Sequence, residues 1–178
     1  MNDKFLYLLA QFDKETQEIL AGHYDILQQN GFIGNQTKDI PYHFTLGKKE
    51  VDCEKQLIDY LDKICANTAY IDIHLSHIGL FGLGIIFIAP NMNFELLTFR
   101  QKFFSDCGNG AYNWTAHATL LIDEPEGILK ALPIVTKNFK PFKARIESIG
   151  LYEFFPMRFI KEYSLNNTVS SNIHMSAI

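Results

Sequence analysis

The stretch Pro41-Tyr42-His43-Phe44-Thr45-Leu46-Gly47 returns later in the chain as Asn113-Trp114-Thr115-Ala116-His117-Ala118-Thr119-Leu120. In both copies polar and apolar residues alternate with the period of two that a half-buried strand requires. His43 and Thr45 therefore share a face opposite Tyr42, Phe44 and Leu46. Asn113, Thr115, His117 and Thr119 likewise share a face opposite Trp114, Ala116, Ala118 and Leu120. Each copy presents an imidazole beside a hydroxyl and has an apolar back able to pack on helices.

A second pair of stretches repeats at corresponding places, Ile78-Gly79-Leu80-Phe81 and Ile149-Gly150-Leu151-Tyr152. Around these anchors each half alternates strand and helix. FLYLLAQF (5–12) reads as a buried strand, and a helix capped by Asp13 follows to Asn30-Gly31 with Leu20, Tyr24 and Leu27 on one side. After the Pro41–Gly47 strand, a helix carries Leu57, Tyr60, Leu61, Ile64 and Cys65, and YIDIHLSHIGLF closes the half. The second half runs GIIFIAP, then a helix capped by Asn93 that carries Leu96, Leu97, Arg100, Phe103 and Phe104 and ends at Gly108, then NWTAHATLLID. A helix follows Pro125, with Pro133 as an early stop; FKARIESIGLYEF and a last piece near FIKEYSL complete the domain. Two copies of one pattern predict an α+β, bilobal, duplicated fold: two antiparallel sheets flanked by helices around a central cleft with pseudo-two-fold symmetry. The domain is expected over residues 1–165, with lobes of about 1–82 and 83–165 whose termini cross over, and 166–178 reads as a tail.

Composition bounds what such a cleft can serve. At 178 residues, with 47% hydrophobic residues, 15 Phe and 8 Tyr, the chain has enough apolar mass for one substantial core. The apolar run at Phe5–Phe12 is too short to span a membrane and lacks the flanks of a signal peptide, so a cytoplasmic protein without membrane contact is expected. Cys53, Cys65 and Cys107 are odd in number and lack C-x-x-C spacing, which favours reduced thiols over a disulfide frame or zinc site. N-x-[ST] matches at Asn35, Asn113 and Asn166 read as chance, since glycosylation needs a secretory route. The formal charge of −4 argues against a protein that coats long nucleic acid, while leaving room for a small anion held at one point. A monomer is expected.

Two imidazoles across a cleft are a minimal kit for attacking a phosphodiester near neutral pH: with a reference pKa of ~6.5, one histidine can take a proton while the other gives one. Threonine hydroxyls at the neighbouring positions can hold the non-bridging oxygens, and neither step demands a metal or other cofactor. His74 and His77 do not share a strand face and carry no ligand set, so no metal site is expected. Phe81 and Tyr152 occupy corresponding places and are candidates for stacking a base, with core packing as the alternative.

The paired H-x-[ST]-hydrophobic motifs, one in each half of a chain this size, resemble those of the 2H phosphoesterase superfamily, in particular its 2′-5′ RNA ligase-like, cyclic phosphodiesterase branch. The resemblance covers roughly Phe5 to Leu165; IHLSHIGLFGLGIIFIAP is similar to the family's passage between lobes, and RIESIGLYEF to its last motif. It implies a bilobal fold with both motifs in the cleft, and hydrolysis of 2′,3′-cyclic phosphates or 2′-5′ linkages without ATP or metal, with reversible RNA ligation in some members. It implies further that His43 and His117 are catalytic and that Thr45 and Thr119 bind the phosphate. The partner would be an RNA end, an oligonucleotide or a small nucleotide phosphodiester; the alternative is an RNA-end or nucleotide-binding module of the same fold without turnover. In one respect the chain departs from the pattern: many relatives carry a basic residue after the second motif, where this chain has Leu121-Ile122-Asp123. Lys48, Lys49, Arg158 and Lys161 are the candidates to supply that charge.

Overall fold

The computed structural model describes residues 4–104 and 114–166. Seven strands and four α-helices are found there: β1 (Phe5–Phe12), α1 (Lys14–Gln29), β2 (His43–Glu50), α2 (Glu54–Ala66), β3 (Ile71–Phe81), β4 (Ile85–Pro90), α3 (Phe94–Phe103), β5 (Ala118–Ile122), α4 (Pro125–Asn138), β6 (Phe142–Phe154) and β7 (Arg158–Ser164). The order is the one that the periodicity predicts, and the fold is α+β with antiparallel ladders between all the named strands. No helix among the described residues is long and apolar enough to cross a membrane.

The helix starts follow their capping residues. The Asp13 carboxylate accepts from the Thr16 N–H at 3.0 Å, and the Asn93 side chain accepts from Leu96 N–H at 2.8 Å, each satisfying a donor that the first turn cannot. Two helix ends differ from expectation. Helix α4 does not stop at Pro133 but runs on to Asn138. The proline lies on the solvent side, where the carbonyl of exposed Leu129, left without its N–H partner, faces water, while Ile128, Ala131 and Val135 keep the other side buried. Helix α3 ends at Phe103 rather than Gly108, because Phe104 turns to extended backbone and drives its ring into the core. That ring lies 2.6 Å from where a Cβ on Gly47 would stand, so the close approach needs glycine there. Gly108, Cys107, Asn113 and the tail from Asn167 on lie outside the described residues.

The strands form one hydrogen-bonded sheet in the order β2-β1-β6-β3-β4-β5, with β7 paired to β6, and not the two separate sheets expected. The physical reason is the length of β6. Its residues Ile146–Phe154 pair with β1 and its first residues, Phe142–Ile146, pair with β3, so a single 13-residue strand ties both parts together. β6, from the second half of the chain, thus lies between β1 and β3 of the first.

One apolar cluster holds the helices to the sheet. Leu20 and Leu27 of α1, Leu57 and Leu61 of α2, Phe99 and Phe103 of α3, and Ile128 and Val135 of α4 meet Leu6, Leu8, Phe44, Leu46, Ile86, Ile88 and Leu120 of the strands. Fully burying each such side chain contributes about 1.5–3 kcal/mol. The alternate residues of the same strands, Tyr7 and Leu9 of β1 and His43 and Thr45 of β2, line a cavity on the opposite face.

Candidate active site

Although β2 and β5 are the two ends of the sheet order, they approach one another. Two side chains reach consecutive carbonyls of β2 from outside it: Trp114, just before β5, donates Nε1–H to Thr45 O at 2.9 Å, and Arg100 of α3 donates Nε–H to Leu46 O at 3.2 Å. Trp114 to His117 lie before β5 rather than inside it, so the strand is shorter than the expected run from Asn113. The alternation nevertheless survives, with Ala116, Ala118 and Leu120 buried and His117 and Thr119 half-buried on the other side.

Each motif carries the same irregularity. In the β1–β2 ladder the register skips Leu46, between Leu8↔Gly47 and Leu9↔Thr45. In the β4–β5 ladder it skips Leu120, between Ile86↔Leu121 and Phe87↔Thr119. A bulge directly after each threonine re-aims the side chains before it and increases the local twist. Each histidine is also tethered alike. His43 Nδ1 is 2.7 Å from Pro41 O, and His117 Nδ1 is 2.7 Å from Thr115 O, in both cases the carbonyl two residues upstream. A carbonyl only accepts, so each Nδ1 carries a proton and Nε2 is the ring nitrogen left to take up or give one.

The surroundings of the rings differ. Behind the start of β2, Gln17 of α1 clamps Tyr42 by donating to its carbonyl and accepting from its N–H, both at 2.8 Å. Across the ladder from His43 stands Gln11, which is buried, donates to the Tyr152 hydroxyl at 3.2 Å and accepts from Ser148 at 3.1 Å. Burial holds the His43 pKa below its usual 6.5; the Pro41 carbonyl opposes this, and the nearby His117 charge lowers it further. His117 instead rests against phenylalanines, with ring centroids 4.7 Å from Phe81, edge to face, and 5.3 Å from Phe87. Gly79 makes room for Phe87, whose ring lies 2.3 Å from where a Cβ would be.

Two cavities share Thr45. The larger, of about 650 Å³, is lined by His43, Thr45 and Thr119 together with Tyr7, Tyr24 and Phe155; the smaller, of about 340 Å³, by Thr45, Thr115, His117, Phe81, Arg100 and Trp114. The structure therefore brings all four motif residues to one place.

The sequence matches no protein-family model and no curated protein. The structure, in contrast, is similar over nearly its whole length to solved proteins. E. coli LigT in complex with NADP+ aligns with a TM-score of 0.61 at 17% identity, over 91% of this chain and 98% of LigT. A phosphoesterase aligns at 0.60 and 17% identity, over 93% of this chain and 100% of its own, and TT0787 of Thermus thermophilus at 0.58 and 13%, over 92% and 99%. LigT and this phosphoesterase are 2H phosphoesterase superfamily members. This chain has the 2H phosphoesterase fold. LigT has also been solved with phosphate and with 3′-AMP.

Within this 2H phosphoesterase fold the remaining sequence candidates separate. Phe81 is 39% exposed and lines the smaller cavity beside His117. Tyr152, its counterpart by sequence, is 5% exposed, packs against Phe154 and Phe159 and lines neither cavity, so it is not placed to stack a base. Its β6 position is flanked on both edges, by β1 and by β7, whereas Phe81 ends its strand at a turn. The four basic candidates are engaged elsewhere: Lys48 over the Phe5 ring, Lys49 over Phe104, Arg158 with Glu54 and Glu153, and Lys161 with Asp62. None lines either cavity. The residues that sequence reasoning missed are Arg100, hidden in an otherwise apolar helical stripe, and the pair Phe154-Phe155 at the end of β6. Phe155 is 70% exposed, and the following Pro156, which breaks the ladder, was the available signal. Among the described residues no three of His, Cys, Asp and Glu gather as a metal site.

Proposed function

We propose that this chain is a metal-independent phosphodiesterase acting on RNA-type phosphate esters, either 2′,3′-cyclic phosphates or 2′-5′ linkages, by paired-histidine acid/base catalysis. The observation that carries the reading is the matched pair of tethers: both rings fixed through Nδ1 to a carbonyl two residues upstream, both leaving Nε2 to work, both followed by a bulge after threonine. The match also supports descent of the two motif-bearing halves from one duplicated unit, with the cleft near an approximate two-fold axis.

His43, whose burial favours the neutral ring, is the base: its Nε2 takes a proton from water as the water oxygen bonds to phosphorus. The bond from phosphorus to one ribose oxygen breaks, and His117, entering the step protonated, gives its Nε2 proton to that leaving oxygen. The product is a phosphomonoester beside a free ribose hydroxyl, and proton exchange with solvent resets the pair. With a ribose hydroxyl attacking a cyclic phosphate, the same geometry runs as ligation. Thr45 and Thr119 donate to the non-bridging oxygens where charge accumulates. The larger cavity falls in the ~300–1,000 Å³ range of small-molecule sites and has tyrosine and phenylalanine walls, which suits a nucleoside. The phosphate and 3′-AMP complexes of LigT fit the same ligand class.

The test is a panel of 2′,3′-cyclic mononucleotides, 2′-5′ oligonucleotides and cyclic-phosphate RNA ends, incubated with the protein in EDTA, with the product phosphate located by ³¹P NMR. Turnover of a cyclic phosphate or a 2′-5′ linkage is expected. Tight binding across the panel with no turnover would instead establish an RNA-end or nucleotide-binding module.

A further inference from the structure

We propose that Arg100 of α3 is the cation that holds the phosphate in the smaller cavity, in place of the basic residue absent after the second motif. This rests on the reading of the cleft as a phosphate-ester site. Of the three arginines in the chain, Arg145 pairs with Asp72 and Arg158 with Glu54 and Glu153. Arg100 has no carboxylate partner among the described residues, although it is half-buried, where an unmatched charge is costly. Its placement is fixed from two sides. Nε–H is committed to Leu46 O at 3.2 Å, and the guanidinium lies 5.1 Å from the Trp114 ring and 5.8 Å from the Phe104 ring. Trp114 in turn donates to the next carbonyl upstream, Thr45 O, so both side chains are anchored on the bulge that sets Thr45.

With Nε committed, the two terminal nitrogens remain for an anion, and the cavity that Arg100 lines also holds His117, Thr45 and Thr115. A planar guanidinium stacked on an aromatic and held at one nitrogen suits a phosphate oxygen pair better than a flexible ammonium would. The sheet explains how a helix residue reaches the motif. Because β2 and β5 meet across the cleft, the last turn of α3 comes to lie over the Thr45–Leu46 backbone. In a chain whose formal charge is −4, one placed arginine supplies locally what the whole surface does not.

The test reads inorganic phosphate binding, which needs no turnover. Calorimetric titration of wild type, Arg100→Gln and Arg145→Gln with phosphate should show affinity about 10- to 100-fold weaker in Arg100→Gln alone, the loss expected for charge-assisted hydrogen bonds to an anion. Guanidinium ion added to Arg100→Ala should restore part of that affinity, which a purely structural role would not allow. The wild-type protein gives a reading that no folding defect can obscure. Trp114 is the only tryptophan, so phosphate should shift its single indole N–H resonance. Unchanged phosphate affinity in folded Arg100→Gln, or a Trp114 resonance indifferent to phosphate, would overturn the proposal. Phosphate binding lost with Arg100 in a protein that turns over none of the ester panel would uphold the Arg100 site while refuting the enzymatic reading.

Discussion

Beside His43, across the β1–β2 ladder, Gln11 anchors a buried polar cluster with Tyr152 and Ser148; against His117 lie the rings of Phe81 and Phe87. In front, the two histidines are alike, with equal tethers and a bulge at the same step of each motif. On the proposed reading, the likeness sets where each Nε2 acts and the difference sets what each does there. Burial favours the neutral ring at His43, and charge on His117 weighs against charge there, which is the basis for proposing His43 as the base of the pair. A motif that occurs twice can thus hold its geometry constant while its two backings differ.

The largest expected effect tests whether the two sides work as one unit. His43→Ala and His117→Ala should each lose about 10²–10⁴-fold in turnover, and the double variant should be little worse than either. Additive losses would mean two independent roles. Next come the hydroxyls. Thr45→Val and Thr119→Val each remove a donor while keeping the branched strand shape, for about 1.5–3 kcal/mol if the partner is a charged phosphate. Thr45 lines both cavities and Thr119 only the larger, so kcat/KM should fall further for Thr45→Val; the reverse order would place the phosphate away from the shared wall.

Smaller effects address the backings themselves. Gly79→Ala sets a methyl 2.3 Å from the Phe87 ring, which must move and take its contact with His117 along. Overpacking of this kind costs about 1–3 kcal/mol, visible as a lower thermal midpoint together with reduced turnover. The least of these effects is a pH dependence of stability. Because folding lowers the His43 pKa, the folded protein binds fewer protons than the unfolded chain; stability is full above 6.5 and declines as pH falls through the folded value. His23 is shifted the same way by burial, so in denaturant titrations at descending pH His43→Ala should flatten the decline only in part.

How much of this was legible in the sequence follows from how far each signal reaches along the chain. The face shared by His43 and Thr45, and by His117 and Thr119, is a matter of strand parity and was readable from alternation alone. The capping roles of Asp13 and Asn93 are equally local. Phe81 and Tyr152 carry the same neighbouring letters yet separate, because burial at Tyr152 comes from strands paired on both sides of β6. Arg100 belongs to the same class of unreadable residue: on a helical wheel it sits among leucines and phenylalanines, and only the tertiary contact with Leu46 O of β2 places it in the wall of a cavity. The single sheet, too, depends on how far β6 extends past β1 to reach β3.

The division of labour between the two histidines is tested most directly by the pH dependence of kcat/KM for a 2′,3′-cyclic nucleotide, measured in EDTA. With His43 as base and His117 as acid, the profile should be bell-shaped, with its acidic limb below 6.5 because activity needs His43 neutral and its pKa is held down by burial. His43→Ala should abolish that limb along with most of the rate. A monotonic profile, or activity that the chelator removes, would contradict the account.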